Sequence, residues 1–417
     1  MISVLLKMSI VIHFLITSPL LLPKHSILSS AHDLGNNFGM TIASADGILF
    51  SRANLNNIDE SMNGVVYAFD ENSLNLLCTF NPESETSDSQ FGSSIAVDDG
   101  IVAIGAASNS DKQPKGGAVY LFDLASGQQL HKIYLPNAEP NDQFGSSLDM
   151  DNGILVVGAG DADYDHRDSG VAVIIDVESG EILHTLFPED STPFVDTRDL
   201  SYLSAQRSKI KLGFGKSVAI EGNLIAISAP HDSENGENSG AVYLYDATTG
   251  KLLNKITESV IEPSRLFGFN VKLSNGLLLI SAPYTLDNDP ANPRYYRQYW
   301  GSVYMYEAST GRLLYRLEPS FNTSSFGYRI EIEDNLIAVA PQSSGSFFRF
   351  SPTIFLFDAR SGQEIAQLNI PGITSMAFPL GLSLSDSHIS IGLLQPNPRR
   401  DKESNGSIHI FDRPELY

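Results

Sequence analysis

Three carboxylates alternate along Gly160-Asp161-Ala162-Asp163-Tyr164-Asp165-His166-Arg167-Asp168. Spacing by two can turn Asp161, Asp163 and Asp165 toward one cation, and calcium is the cofactor that such an oxygen set would take. Counted from Asp161, His166 stands where an EF-hand needs glycine, so the alternation alone carries this reading. Acidic residues in the corresponding loops, Asp232, Glu234, Glu237 and Asp287, Asp289, fit solvated turns equally well. A second constellation is Arg294, Tyr295, Tyr296, Arg297, Tyr299 and Trp300, which includes the only tryptophan. Tyr, Trp and Arg are the types most enriched at binding hot spots, and aromatic faces suit sugar rings, so these six are the candidate ligand-binding residues. Phe347, Phe348, Arg349 and Phe350 could extend the same patch. No catalytic residue is nominated. The nine histidines are scattered, and no H-E-x-x-H, G-x-S-x-G or P-loop pattern occurs. Cys78 is the single cysteine, which excludes an intrachain disulfide and any Cys-clustered metal site.

The elements that must position these residues are repeats. Phe-Gly pairs begin at Phe38, Phe91, Phe144, Phe214, Phe267 and Phe326, spaced 53, 53, 70, 53 and 59 residues apart, and a decayed copy follows 54 residues later at Leu380-Gly381. Each opens an alternating segment, a tight turn and an apolar run, as in FGSSIAVDDGIVAIGAA from Phe91 and FGKSVAIEGNLIAISAP from Phe214. A third strand of the form GAVYLFD and a fourth apolar segment such as KLLNKI complete the copy. Asp-Gly and Asn-Gly turns suit two-residue hairpins because both residues tolerate positive φ. No segment carries a 3.6-residue apolar period over a helical length. Four short strands repeated seven times specify an all-β chain, a seven-bladed β-propeller of four-stranded antiparallel blades. The small residues after each Phe-Gly fit an innermost strand crowded near the axis.

The seventh copy ends at Phe411-Asp412 with five residues left, too few for its fourth strand. Counting back from Phe38 predicts that His25–Leu28 supplies it and closes the ring. Ahead of it, Lys7 and the apolar run Met8–Leu22 read as a secretory leader, too short and interrupted for a membrane span. The expected division is therefore 1–22 as signal peptide and 23–417 as propeller, with cleavage before Leu22 and no membrane span afterwards. The net charge of −22 repels phosphate backbones and argues against nucleic acid as a partner.

The Phe-Gly openings, the second-strand ends Gly105-Ala106, Gly158-Ala159, Ser228-Ala229-Pro230 and Ser281-Ala282-Pro283, and the Gly-Ala-Val-Tyr strands resemble FG-GAP repeats. Those repeats build the seven-bladed propeller of integrin α-subunits and related bacterial surface proteins, and here the resemblance spans about residues 25–417. It implies an extracellular protein or polysaccharide as partner and a secreted, periplasmic or cell-surface location. Calcium-binding members carry an Asp-rich loop between the first two strands, where this chain has only Asp98-Asp99-Gly100, Asp151-Asn152-Gly153, Glu221-Gly222-Asn223 and Ser274-Asn275-Gly276. Two insertions break the repeat, Phe187–Gly213 between blades three and four and Tyr284–Gly301 within blade five, and propeller geometry puts both on one rim. The expected function is an exported, non-catalytic binding or adhesion module. The alternatives are a propeller lyase or hydrolase acting on polysaccharide, or a quinoprotein-like propeller, prompted by YLYDATTGKLL, which lacks the tryptophan usual after that turn.

Overall fold

The computed structural model describes residues 20–28, 37–54, 64–82, 89–163, 169–188, 212–258, 265–284, 301–321, 323–342, 353–371, 378–395 and 405–415. Every regular element in them is a β-strand. The first two are β1 (Leu20–Leu21) and β2 (His25–Leu28). Blade one is β3 (Ile42–Ala45), β4 (Ile48–Asn54), β5 (Gly64–Asp70) and β6 (Leu76–Phe80). Blade two is β7 (Phe91–Asp98), β8 (Ile101–Ala106), β9 (Ala118–Asp123) and β10 (Gln129–Ile133). Blade three is β11 (Ser147–Asp151), β12 (Ile154–Ala159), β13 (Val171–Asp176) and β14 (Ile182–Leu186). Blade four is β15 (Val218–Glu221), β16 (Leu224–Ala229), β17 (Ala241–Asp246) and β18 (Leu252–Thr257). Blade five is β19 (Val271–Ser274), β20 (Leu277–Ala282), β21 (Ser302–Glu307) and β22 (Arg312–Leu317). Blade six is β23 (Arg329–Glu333), β24 (Leu336–Ala340), β25 (Thr353–Asp358) and β26 (Glu364–Asn369). Blade seven takes β27 (Phe378–Leu384), β28 (His388–Gln395) and β29 (Asn405–Asp412), with β2 as its outer strand.

Each blade is an antiparallel meander, and the seven inner strands contact one another in a closed circle, with β27 returning to β3. Burial follows position. The second and third strands, held between neighbouring sheets, are buried almost throughout, while the fourth alternates and exposes Leu77, Leu130, Leu183, Leu253 and Leu313 at the rim. The core is accordingly not one mass. Seven apolar clusters form, each drawing its members from two adjacent blades. The inner hairpins turn as their sequence requires: Asp99 and Gly100 take φ of 43° and 74°, Asn275 and Gly276 of 52° and 71°. At the third-to-fourth-strand turns, Asp123, Asp176 and Asp246 accept hydrogen bonds from the Ser or Thr three residues on, which hold these carboxyls below their usual range. Part of the acidic surface therefore shapes turns.

The Phe-Gly pair is the wedge of six of the seven seams. The Phe rings are fully buried, and where the third strand of their own blade carries aromatics they meet them edge-on, as Phe91 does Tyr120 (5.3 Å, 78°) and Phe214 does Tyr243 (5.4 Å, 75°). The Phe backbone presses on the glycine that opens the preceding blade's third strand. A Cβ at Gly240 would lie within 3.0 Å of three Phe267 backbone atoms, and Gly240 also has φ of 86°.

Ring closure matches the expectation. Strand β2 pairs antiparallel with β29 from His25↔Ile410 to Leu28↔Ser407, and Ile27 is buried. Lys24 adds a backbone bond to Ile410 and an ion pair with Asp412 (2.8 Å). Blade six departs from four strands. Strand β1, inside the stretch read as leader, pairs parallel with the open outer edge of β26 through Leu20↔Gln367 and Leu21↔Leu368.

Candidate functional site

The seven inner strands surround an axial channel. On the Phe-Gly side it widens into a cavity of about 490 Å³, lined by the start of every inner strand. A ring of polar side chains stitches this mouth together. Thr41 donates to the Ser93 carbonyl (3.4 Å), Ser94 to Gly145 (2.7 Å), Ser147 to Gly215 (2.8 Å), Asn270 to Tyr328 (3.0 Å) and Arg329 to Leu380 (2.8 Å), while Ser217 accepts from the Val271 amide (3.1 Å). The residue two places beyond each Phe-Gly glycine thus bonds the next blade at six of the seven seams. Smallness is only half of why serine recurs there.

The ring is chemically lopsided. Blades two and three present Ser93, Ser94, Ser146 and Ser147, whereas blades four to six present Lys216, Phe269, Tyr328 and Arg329. Phe269 packs against Tyr328 (5.6 Å) and Tyr284 (5.7 Å), and the Arg329 guanidinium lies over the Tyr328 ring at 5.3 Å. Lys216 is exposed and pairs with no described residue. Lys272 pairs with Glu331 at 2.8 Å, its side chain 37% exposed. Enclosure by the strands pushes the Asp149 carboxyl up to about 6, against the pull of Lys272 and of the amides of Ile220 (2.8 Å) and Met150. Enclosure also raises Glu331, with Lys272 and Arg329 opposing it. Enclosure works against the Lys272 ammonium too, yet Glu331 and Asp149 hold it above its ordinary range. In a chain of −22, the mouth gathers three cations against two carboxylates.

A family model described as FG-GAP repeat matches residues 82–122, 128–175 and 212–245, which carry all four strands of the second blade and the inner three strands of the third and fourth. The chain is an FG-GAP β-propeller. Comparison with curated proteins found no match.

At the opposite end of the FG-GAP channel a cavity of about 550 Å³ is lined by the inner hairpins, with Asp46, Asp151, Glu221, Glu333, Asp334 and Asp386 among its walls. Several of these acids already serve the ring. Asp151 accepts the Gly222 amide (2.5 Å), and Glu221 accepts those of Gly276 (2.8 Å) and Asn275. Such two-residue turns, with their oxygens bound to neighbouring amides, do not make the Asp-rich cation loop of calcium-binding FG-GAP repeats. Glu333, Asp334 and Asp386 do lie close enough to share a cation, with ligand oxygens within 4.8 Å of one another. Arg413 stands beside them, donating to the Glu333 carbonyl (2.8 Å) and lying 3.5 Å from Asp334. No sequence signal marked this trio, which joins two hairpins from different blades. The closing seam between blades seven and one lacks the polar stitch at Gly381. There the buried Glu71 carboxylate accepts from Ser385 (2.9 Å) and lies 3.6 Å from His388.

The residues singled out from sequence fall in different places. Asp161 accepts the Gln143 amide (2.8 Å), and Asp163 is exposed with its N–H on Asp142 (3.3 Å), so they are already engaged with the neighbouring connection. Asp165 lies outside the described residues, as do Arg294, Tyr295, Tyr296, Arg297, Tyr299, Trp300 and 347–350. The described ends of both insertions are informative nonetheless. Tyr284 rests on Phe269, Gly301 bridges Phe326, and Leu212 accepts the His231 amide, so both insertions spring from the Phe-Gly side of the FG-GAP ring. His131 and His184 occupy matching places on the outer strands β10 and β14. Each lies over the turn glycine of the next blade, Gly180 or Gly250, and bonds the carbonyl of Glu178 or Thr248 at 3.0 Å. Cys78 packs against the cluster between blades one and two. What sequence reasoning missed at the mouth had a readable mark: FGFN, FGYR and FGKS break the FGSS pattern in three consecutive copies.

Among the described residues no helix is long and apolar enough to cross a membrane.

Proposed function

We propose that this FG-GAP propeller is an exported, non-catalytic binding module of the integrin-α type, taking a polysaccharide or an extracellular protein at the Phe-Gly mouth. One observation carries the reading. Serine lines that mouth on one side, while Lys216, Phe269, Tyr328 and Arg329 replace it on the other, and of these only Arg329 uses a side-chain hydrogen bond to hold a seam between blades. Concave sites with a few convergent polar groups beside aromatic surface are where ligands bind. The described ends of both insertions, Leu212, Tyr284 and Gly301, lie on this side as well. No nucleophile–base pair or metal-activated water is part of the reading.

A glycan and extracellular-matrix array tests it. The protein should retain at least one ligand, and Phe269→Ala and Tyr328→Ala should each weaken it about tenfold or more, as expected for anchoring aromatics. Leu253→Ala, on the exposed rim strand, should leave binding unchanged. Equal binding by all four proteins would remove the mouth as the site.

A further inference from the structure

The mouth carries charge as well as shape, and the two together narrow the ligand. We propose that it recognises a uronic-acid residue of an acidic polysaccharide, with Arg329 and Lys216 taking the carboxylate and Phe269 and Tyr328 taking the sugar ring. This rests on the reading of the mouth as a binding site and names its ligand class.

Arg329 is fixed rather than free to swing. Its Nε donates to the Leu380 carbonyl at 2.8 Å and its guanidinium lies 5.3 Å over Tyr328, while no described residue accepts from its two terminal nitrogens. A planar fork held in this way suits a carboxylate, which it can bind through two parallel hydrogen bonds. Lys216, one blade beyond Phe269, has no described partner either and adds a second positive charge. The aromatic pair between them supplies flat apolar surface for the C–H face of a sugar. On the opposite wall the Ser94 and Ser147 hydroxyls direct their protons to backbone carbonyls (2.7 and 2.8 Å), which leaves oxygen lone pairs to accept from sugar hydroxyls. The cavity of about 490 Å³ falls in the range of small-ligand sites. A flexible acidic peptide would satisfy the cations and leave the hydroxyl wall and the aromatic faces unused.

The charges below the mouth add a pH dependence. Asp149 on β11 faces Lys272 on β19 and Glu331 on β23, both of which also face Arg329, and enclosure pushes its carboxyl up to about 6. Above that pH its negative charge offsets part of the cationic field. As the pH falls through 6 the charge disappears while a uronate, an ordinary carboxylate, stays ionised. Uronate affinity should therefore rise severalfold from pH 7.5 to 5.5, and Asp149→Asn should hold the higher affinity throughout.

Calorimetry on the full chain tests the proposal with four probes: oligogalacturonate, oligoglucuronate, the methyl ester of the former, and a penta-aspartate peptide. Binding of at least one uronate oligomer is expected, with a tenfold or larger loss on esterification or in Lys216→Gln and no comparable binding of the peptide. Arg329→Gln should lose more, and since Arg329 also stitches blades six and seven, unchanged circular dichroism and melting must accompany that loss. The exposed Lys216 gives a variant free of that concern. Equal binding of ester and acid, stronger binding of the peptide, or no uronate binding at all would overturn the uronate assignment. If Phe269→Ala and Tyr328→Ala still weakened the ligand found on the array, the mouth would stand and only the ligand class would fall. If they did not, both would fall.

Discussion

A chain beginning after Leu28, expressed without any leader, should fail to fold cooperatively or should aggregate, whereas one beginning at Leu20 should melt in a single transition. Strand β2 makes four ladder pairs with β29, and its Ile27 fills the seam between blades seven and one beside Ile408, Ile410 and Phe38. Losing one buried Ile side chain costs about 2–5 kcal/mol, and each unmade hydrogen bond adds about 1 kcal/mol. The loss also turns β29 from a paired strand into an open, apolar edge, a template for pairing with other chains. A ring concentrates the damage, because blade seven must support blade one as well as itself. Thermal melts and size-exclusion profiles of the two chains check this. Equal melting of both would mean that blade seven is complete without β2. A mature chain cut before Leu22 would keep β2 and lose only β1, so leader removal there is compatible with the closed ring.

The second large effect is expected at Gly240. Gly240→Ala should destabilise the protein by about 3 kcal/mol or more, while Gly100→Ala should cost only about 1 kcal/mol. Both glycines have positive φ, 86° and 74°, so the conformational penalty is shared. They differ in surroundings. A Cβ at Gly100 meets nothing within 4 Å, but at Gly240 it would overlap the Phe267 backbone and push blades four and five apart. Denaturant unfolding of the two variants measures the difference directly. Similar losses would show that left-handed backbone geometry, and not the close approach of the Phe-Gly wedge, explains the glycine.

Much of this architecture was legible because a propeller repeats its instructions. Phe-Gly spacing fixes the blade count, Asp-Gly and Asn-Gly fix the inner hairpins, and the missing fourth strand after Phe411 points back to His25–Leu28. Strand β1 was not legible, since two leucines inside a longer apolar run carry no strand period of their own. The roles of Ser94 and Ser147 were half legible. Their size is visible in sequence, but their bonds to Gly145 and Gly215 exist only once the next blade is in place. The candidate site shows the same limit. Aromatic and cationic residues crowd into 294–300 and attract attention there, while Lys216, Phe269, Tyr328 and Arg329 are spread over more than a hundred residues and meet only around the axis. Their signal is a departure from the repeat rather than a motif. The acidic composition misleads in the other direction, because Asp151 and Glu221 act as stitches between hairpins and Asp123, Asp176 and Asp246 as turn formers.

Head-to-tail closure underlies every position assigned around the mouth, and a cross-link between the two ends of the chain tests it most directly. Ser26 and His409 face each other across the β2–β29 pair, with Ser26 Oγ 2.8 Å from His409 Nδ1. Directly opposed antiparallel residues have the Cα separation that a disulfide accepts. In a Cys78→Ser background, Ser26→Cys with His409→Cys should oxidise to one intramolecular disulfide, seen as a single cross-linked peptide by mass spectrometry and as a higher melting temperature. Thiols that stay free, or that pair only between molecules, would contradict the closed ring.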